Sequence, residues 1–263
     1  MRTIASADGT LIAYEQGGQG PHLVLVHGYP ASRERWASIR PKFEQHFTVT
    51  AMDRRGRGDS GDSPTYSIER ESEDVSAIIK ALNGPVLLLG HSFGGLCALE
   101  GAMQAENVAG LILYEPSIYG EGESGVPPEL LDRLDALLAS GEREGVVTTV
   151  MAEIAELSRH EIEVSKASPA WLGRVAAAHT LPREIRAEET YRLSADRVDE
   201  LSIPVLLLLG SDSPPFYGRA IARLQEILPN SRTLELPGQQ HIAMDTGPDL
   251  LVSVVLAFWR DIN

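Results

Sequence analysis

Gly90-His91-Ser92-Phe93-Gly94-Gly95 follows the apolar run Val86-Leu87-Leu88-Leu89 and precedes Leu96, Ala98 and Leu99, which recur at helical spacing. A continuous aliphatic run of this length suits a strand buried on both faces. The stretch is therefore G-x-S-x-G between a strand and a helix, the context in which that pattern carries chemistry. Turning from strand to helix in so few residues forces Ser92 into a strained backbone conformation and lifts its hydroxyl toward solvent. Gly90 and Gly94 lack side chains where strand and helix crowd together. Ser92 is accordingly the candidate nucleophile.

Outward from this point the same alternation repeats. Residues 22–26, 108–114 and 205–209 are further apolar runs, and 33–45, 68–82, 92–104, 219–228 and 248–262 have helical periodicity. Strand alternating with helix predicts an α/β fold with a doubly wound, mostly parallel sheet. Residues 10–15 alternate and end in Gly17-Gly18-Gln19-Gly20-Pro21, which reads as an edge strand. Between Pro116 and Ile203 the alternation breaks. Leu130, Leu131, Leu134, Leu137 and Leu138 recur at helical spacing, 146–157 and 170–178 also read as helical, and no second buried strand follows. The organisation expected is a core domain of residues 1–116 and 203–263 with a helical lid inserted at 117–202. That insertion follows the carboxyl end of a strand, where open α/β sheets bind ligands.

Composition narrows the function. The 263 residues carry 37 Asp+Glu against 23 Lys+Arg, a net charge of −14, and offer no basic stripe for nucleic acid. A single cysteine, Cys97, cannot form an intramolecular disulfide, and it reads as a small core residue. The amino terminus reaches Asp8 before any apolar region of signal-peptide length, and no run approaches the roughly 18 residues of a membrane span. A cytoplasmic protein with no membrane or nucleic-acid partner is expected. No histidine, cysteine or carboxylate cluster has metal-ligand spacing, so neither metal nor cofactor is expected. Gly56-Arg57-Gly58-Asp59-Ser60-Gly61 spells G-x-G-x-x-G, but Pro64 follows and no helix opens at the last glycine. Arg57-Gly58-Asp59 reads as a solvated turn, and Arg54, Arg55 and Arg57 as three loop charges.

A serine hydroxyl attacks only when a base takes its proton. His241 suits that role, since it follows a strand ending at Leu236 and the turn Pro237-Gly238-Gln239-Gln240. His27, in the His27-Gly28 turn, reads as structural. The imidazole needs an acid to fix its tautomer, and two carboxylates terminate strands: Asp212 and Glu115. Asp212 is preferred because it keeps the order Ser…Asp…His, with Glu115 in Tyr114-Glu115-Pro116 as the rival. The developing oxyanion needs backbone donors. The N–H of Phe93, at a helix start, and that of Tyr29, where Gly28 lets the loop approach, are the candidates.

Together these motifs resemble the α/β-hydrolase family over essentially the whole chain: His27-Gly28, then Asp53-Arg54-Arg55-Gly56-Arg57-Gly58-Asp59-Ser60 matching D-x-R-G-x-G-x-S, the elbow at Ser92, and His241. The resemblance implies a sheet of eight mostly parallel strands and a helical lid over the serine. The departure is at the acid. Many members place it three residues after the glycine that ends its strand, where this chain has Ser213, with Asp212 one position earlier. Some members carry the acid after the preceding strand, where Glu115 stands.

The activity expected is that of a serine hydrolase cleaving a small, mainly apolar ester, lactone or thioester through an acyl-enzyme. A serine at position 92 argues against the haloalkane dehalogenase and epoxide hydrolase chemistry that uses aspartate there. Carbon–carbon bond hydrolysis, cofactor-free perhydrolysis or oxidation, and non-catalytic ligand binding are the alternatives. Gly28, Tyr119, Met151, Trp171, His179 and Phe216 are the candidate pocket residues. If carboxylates such as Glu153, Glu156, Glu161 and Glu163 are solvated, the negative field should favour neutral over anionic substrates.

Overall fold

The structure, a computed structural model, describes residues 1–120, 126–193, 195–198 and 201–263. Its strands are β1 (Arg2–Ala5), β2 (Leu11–Gly17), β3 (His22–Val26), β4 (Thr48–Met52), β5 (Val86–His91), β6 (Val108–Tyr114), β7 (Val205–Gly210) and β8 (Ser231–Leu236). They form one eight-stranded sheet in the order β1-β2-β4-β3-β5-β6-β7-β8. Neighbours from β4 to β8 are parallel, and β2 runs antiparallel to both β1 and β4. The chain is thus an α/β hydrolase fold, a mostly parallel sheet flanked by helices. The stretch read as an edge strand is in fact second from the edge, because β1 pairs outside it from Arg2↔Tyr14 to Ala5↔Leu11. β1 is largely solvated, so it carries no apolar run to betray it.

Alternate residues of the central strands serve two separate cores, as the period of two in a strand requires. Leu23, Leu25, Leu87 and Leu89 pack on one face, and Val24, Val26, Val86 and Leu88 on the other. Before the insertion come α1 (Arg40–Phe43), α2 (Ile68–Lys80) and α3 (Phe93–Ala102). Between β6 and β7 come α4 (Pro128–Ala139), α5 (Arg143–Glu153), α6 (Arg159–Ala167), α7 (Trp171–Ala176), α8 (Leu181–Thr190) and α9 (Ala195–Val198). The last are α10 (Pro215–Ile227), α11 (Ala243–Thr246) and α12 (Pro248–Asp261). Phe43 of α1 and Leu251, Val255 and Phe258 of α12 cover the first face; Val75 of α2, Leu96 of α3 and Leu224 of α10 cover the second. Leu130, Val146, Val150, Leu181 and Ile185 of the inserted helices join this second core. Among the described residues no helix is long and apolar enough to cross a membrane, and no group of His, Cys, Asp and Glu is arranged to hold a metal.

The loop after β4 departs most from its sequence reading. Arg54, Arg55 and Arg57 are not solvated: each is at most 1% exposed. Arg55 makes a bidentate pair with Asp74, both bonds at 2.7 Å. Arg54 reaches Glu71 at 3.0 Å and Glu184 at 2.5 Å, and Arg57 reaches Glu184 at 2.6 Å. Burying a guanidinium is costly unless carboxylates meet it, and here they come from α2 and from the distant α8. Glu184, facing both Arg54 and Arg57, is held ionised below the usual carboxylate range; Glu71, whose burial outweighs Arg54 and a hydrogen bond from the Tyr66 hydroxyl, is pushed up to about 7. The cluster joins the sheet loop to the inserted helices. Cutting a buried pair leaves an uncompensated charge, so Glu184→Ala should lower the unfolding free energy by about 3–5 kcal/mol, read as a fall in the urea midpoint. A change below about 1 kcal/mol would mean that the cluster does not hold the insertion.

Candidate active site

The carboxyl ends of β3, β5, β6, β7 and β8 lie along one edge of the sheet, and each delivers a loop to the same place. At the end of β5, Ser92 sits at φ 55°, ψ −130°, before Phe93 opens α3. This conformation is costly for a residue with a side chain. It persists because strand, helix and the β3 loop meet here: a Cβ on Gly94 would lie 2.3 Å from the His27 carbonyl, and one on Gly28 2.8 Å from Ser92 Cβ. The loop carrying Gly28 and Tyr29 is therefore in direct contact with Ser92. The serine, expected to face solvent, is only 5% exposed. Phe93 is the first helical residue, so its N–H has no acceptor within α3.

Glu115 follows β6 with φ 44° and is fully buried. Its Oε2 accepts a hydrogen bond from His241 Nδ1 at 2.6 Å. Its Oε1 accepts from the Gly210 N–H at 2.7 Å and from Ser213 Oγ at 2.5 Å. Asp212 does not reach the imidazole, contrary to the preference drawn from chain order. It is exposed, and its Oδ1 accepts from Ser211 Oγ at 2.7 Å. The correction has a local cause: Ser213 occupies the place three residues after Gly210 and turns inward as a donor to Glu115, which leaves Asp212 facing water.

His241 is fixed on several sides. Its ring stacks on Tyr217 at 4.4 Å and 18°, and its carbonyl takes a hydrogen bond from His91 Nε2 at 2.8 Å. Burial, above all, holds His91 well below the usual histidine range, so it is a neutral donor. Tyr114 OH donates to the Gln240 carbonyl and accepts from the Ala243 N–H. With Nδ1 committed to Glu115, the lone pair of His241 falls on Nε2, which is buried without a hydrogen-bond partner. His27 is structural as expected: Nδ1 lies 2.7 Å from the Gly28 carbonyl, Nε2 accepts from the Arg54 N–H at 3.1 Å, and burial keeps it neutral.

A narrow cavity of about 20 Å³, room for about one water, lies between this edge and the inserted helices. Gly28, Tyr29, His91 and His241 line one side, and Met151, Leu157, Ser165 and Arg174 the other. Tyr119 is 5.1 Å from the Phe216 ring, which packs on Tyr217, so both belong to the aromatic group behind His241. Of the six expected pocket residues only Gly28 and Met151 line the cavity; Tyr119, Phe216, His179 and Trp171 do not. His179 is exposed, 2.9 Å from Arg143 Nη2, and lines a surface hollow with Gly56 and Gly58. Trp171 is half-buried, with Lys166 over its ring at 5.8 Å.

Residues 23–254 match the alpha/beta hydrolase family. The chain belongs to the alpha/beta hydrolase family. It is similar to a non-heme chloroperoxidase of Streptomyces lividans, 28% identical over 98% of this chain and 99% of that protein. A pimeloyl-[acyl-carrier protein] methyl ester esterase of Aeromonas hydrophila is 28% identical over 94% and 98%. The crystal structure of an alpha/beta hydrolase from Sphaerobacter thermophilus is 36% identical, with a TM-score of 0.84 over 98% of this chain and 100% of that one.

The hydrolase also buries a carboxylate that sequence reasoning missed. Glu188 of α8 is 1% exposed and accepts hydrogen bonds from the hydroxyls of Tyr29 and Ser117. Helix α8 escaped notice because its buried stripe, positions 181, 184, 185 and 188, is half carboxylate and so lacks an apolar signature. Burial pushes Glu188 up to about 8, against the two hydroxyls that favour its charge. The unfolded chain releases this proton near pH 4.3 and the folded chain near 8, so the unfolded state holds fewer protons in between. Stability should therefore fall as pH rises through that window and level off above it. Glu188→Gln, an isostere of the protonated acid, should remove this loss, so the Tm of the variant relative to wild type should climb between pH 5 and 8.5. A constant difference across that range would exclude a proton held on Glu188.

Proposed function

We propose that the hydrolase cleaves small esters by a serine mechanism in which Ser92 is the nucleophile, His241 the base and Glu115 the acid. The observation that carries this reading is the Glu115–His241 bond at 2.6 Å, which leaves a free Nε2 on an imidazole buried beside the elbow. Ser92 Oγ attacks the carbonyl while His241 Nε2 takes its proton. The imidazolium is stabilised by Glu115, whose second oxygen is held by Gly210 and Ser213. The N–H groups of Tyr29 and Phe93 receive the oxyanion. Collapse of the intermediate passes the proton from His241 to the leaving alcohol, and water activated by the same Nε2 releases the acyl group. The esterase among the relatives supports this chemistry.

Residues 117–202 act in this reading as a lid. The cavity of about 20 Å³ is smaller than any ester, and the wall carrying Met151 and Arg174 belongs to the insertion, so entry requires that wall to move. The cavity is otherwise mainly apolar, which suits a short acyl chain.

The test uses a fluorophosphonate probe and short ester substrates. Labelling should vanish in Ser92→Ala. Glu115→Gln should lower kcat by roughly 10³–10⁴-fold, because it loses the partner that fixes the tautomer, while Asp212→Asn should stay within about threefold of wild type. Labelling that persists in Ser92→Ala, or a larger loss in Asp212→Asn than in Glu115→Gln, would overturn the assignment.

A further inference from the structure

The hydrolase buries several arginines, and one of them has no carboxylate in contact among the described residues. Arg54, Arg55 and Arg57 each face carboxylates, and Arg35 pairs with Asp245. Arg174 of α7 is 5% exposed, yet among the described residues it has no carboxylate partner. Its Nη1 donates to Ser165 Oγ at 3.1 Å, and its Nε has no hydrogen-bond partner. Burial, and after it Arg35, lowers its pKa to about 9 against the opposing charge of Asp245, which is not in contact with it, and this leaves it charged at neutral pH. Holding such a cation in the interior with no carboxylate in contact is unfavourable. The cost is recovered when an anion arrives.

The place where that anion would sit is defined by the cavity, which Arg174 shares with His241 and with Gly28, itself packed against Ser92. Between the two ends the walls are Ala31, Met151, Ala155, Leu157 and Ile242. We infer that Arg174 is a recognition site for a carboxylate on the substrate, so that the preferred ester carries a free carboxylate separated from its scissile carbonyl by a short apolar spacer. This rests on the serine-esterase reading above and gives it a substrate class. It also reverses the expectation drawn from the net charge of −14. Surface carboxylates are screened over roughly 8–10 Å of salt solution, whereas a desolvated guanidinium acts at contact and can bind a carboxylate through two parallel bonds. Arg35 is the other cation in the wall, but Asp245 already neutralises it.

The experiment compares monomethyl adipate with methyl hexanoate, followed by pH-stat, in wild type, Arg174→Gln and Arg174→Lys. Wild type should favour the adipate monoester in kcat/KM. Arg174→Gln should cut the ratio of the two kcat/KM values by roughly 10- to 100-fold, mainly through KM, and Arg174→Lys should recover part of it. A merely structural role would lower both esters together and leave the ratio alone, which would overturn the inference, as would a wild type that prefers the hexanoate. If neither ester is cleaved and the fluorophosphonate probe does not label Ser92, the serine reading has failed, and calorimetry decides the arginine separately. Adipate binding that is lost in Arg174→Gln supports the site; no binding by wild type rejects it.

Discussion

A charge taken out of water has to be met by an opposite charge or by hydrogen-bond partners, and that requirement organises this molecule around its sheet edge. Arg54 and Arg57 enter the interior only because Glu71 and Glu184 meet them, and through Glu184 the same requirement ties the inserted helices to the loop after β4. Glu115 is fully buried because Gly210, Ser213 and His241 supply donors to its two oxygens. Glu188, given only two hydroxyls, meets the requirement differently, by holding its proton. Arg174 is the case in which no carboxylate among the described residues comes into contact.

Backbone geometry imposes the second constraint. The sharp passage from β5 into α3 leaves room for neither a Cβ at Gly94 nor one at Gly28, so the loop after β3, remote in sequence, is locked against Ser92. Within that frame, His241 is held by its own backbone carbonyl on His91, by the Tyr217 ring and by Glu115. An imidazole oriented by contacts on three sides is pre-organised, and the cost of ordering it is met during folding.

Much of the site could be read from the chain because its signals are local. Ser92 lies in a pattern whose strand and helix flank it directly, and His241 follows a strand and a turn. The acid could not be settled in this way. Asp212 and Glu115 both end strands, and chain order favoured the wrong one for geometric contact with the imidazole. Ser213 was the visible clue: a hydroxyl stood where a carboxylate is customary, and its role as a donor to Glu115 appears only once β6 and β7 are side by side. Helix α8 was missed for a related reason. Its inward face is complete, but Glu184 and Glu188 occupy half of it, and a carboxylate reads as surface until its partners are known.

The sequence by itself determined the alternation of buried strands and helices, the elbow at Ser92 and the histidine after the last strand, because each depends on residues within a few positions of one another. Only the tertiary structure decided which carboxylate meets His241, which arginines are neutralised, and which one is left facing the cavity. Those outcomes depend on pairings such as Arg54 with Glu184 and Glu115 with Ser213, across about a hundred residues or more of chain. The sign of the charge at the site follows from such pairings and not from the sum over the chain, because Coulomb energy in a desolvated interior is governed by the nearest partner.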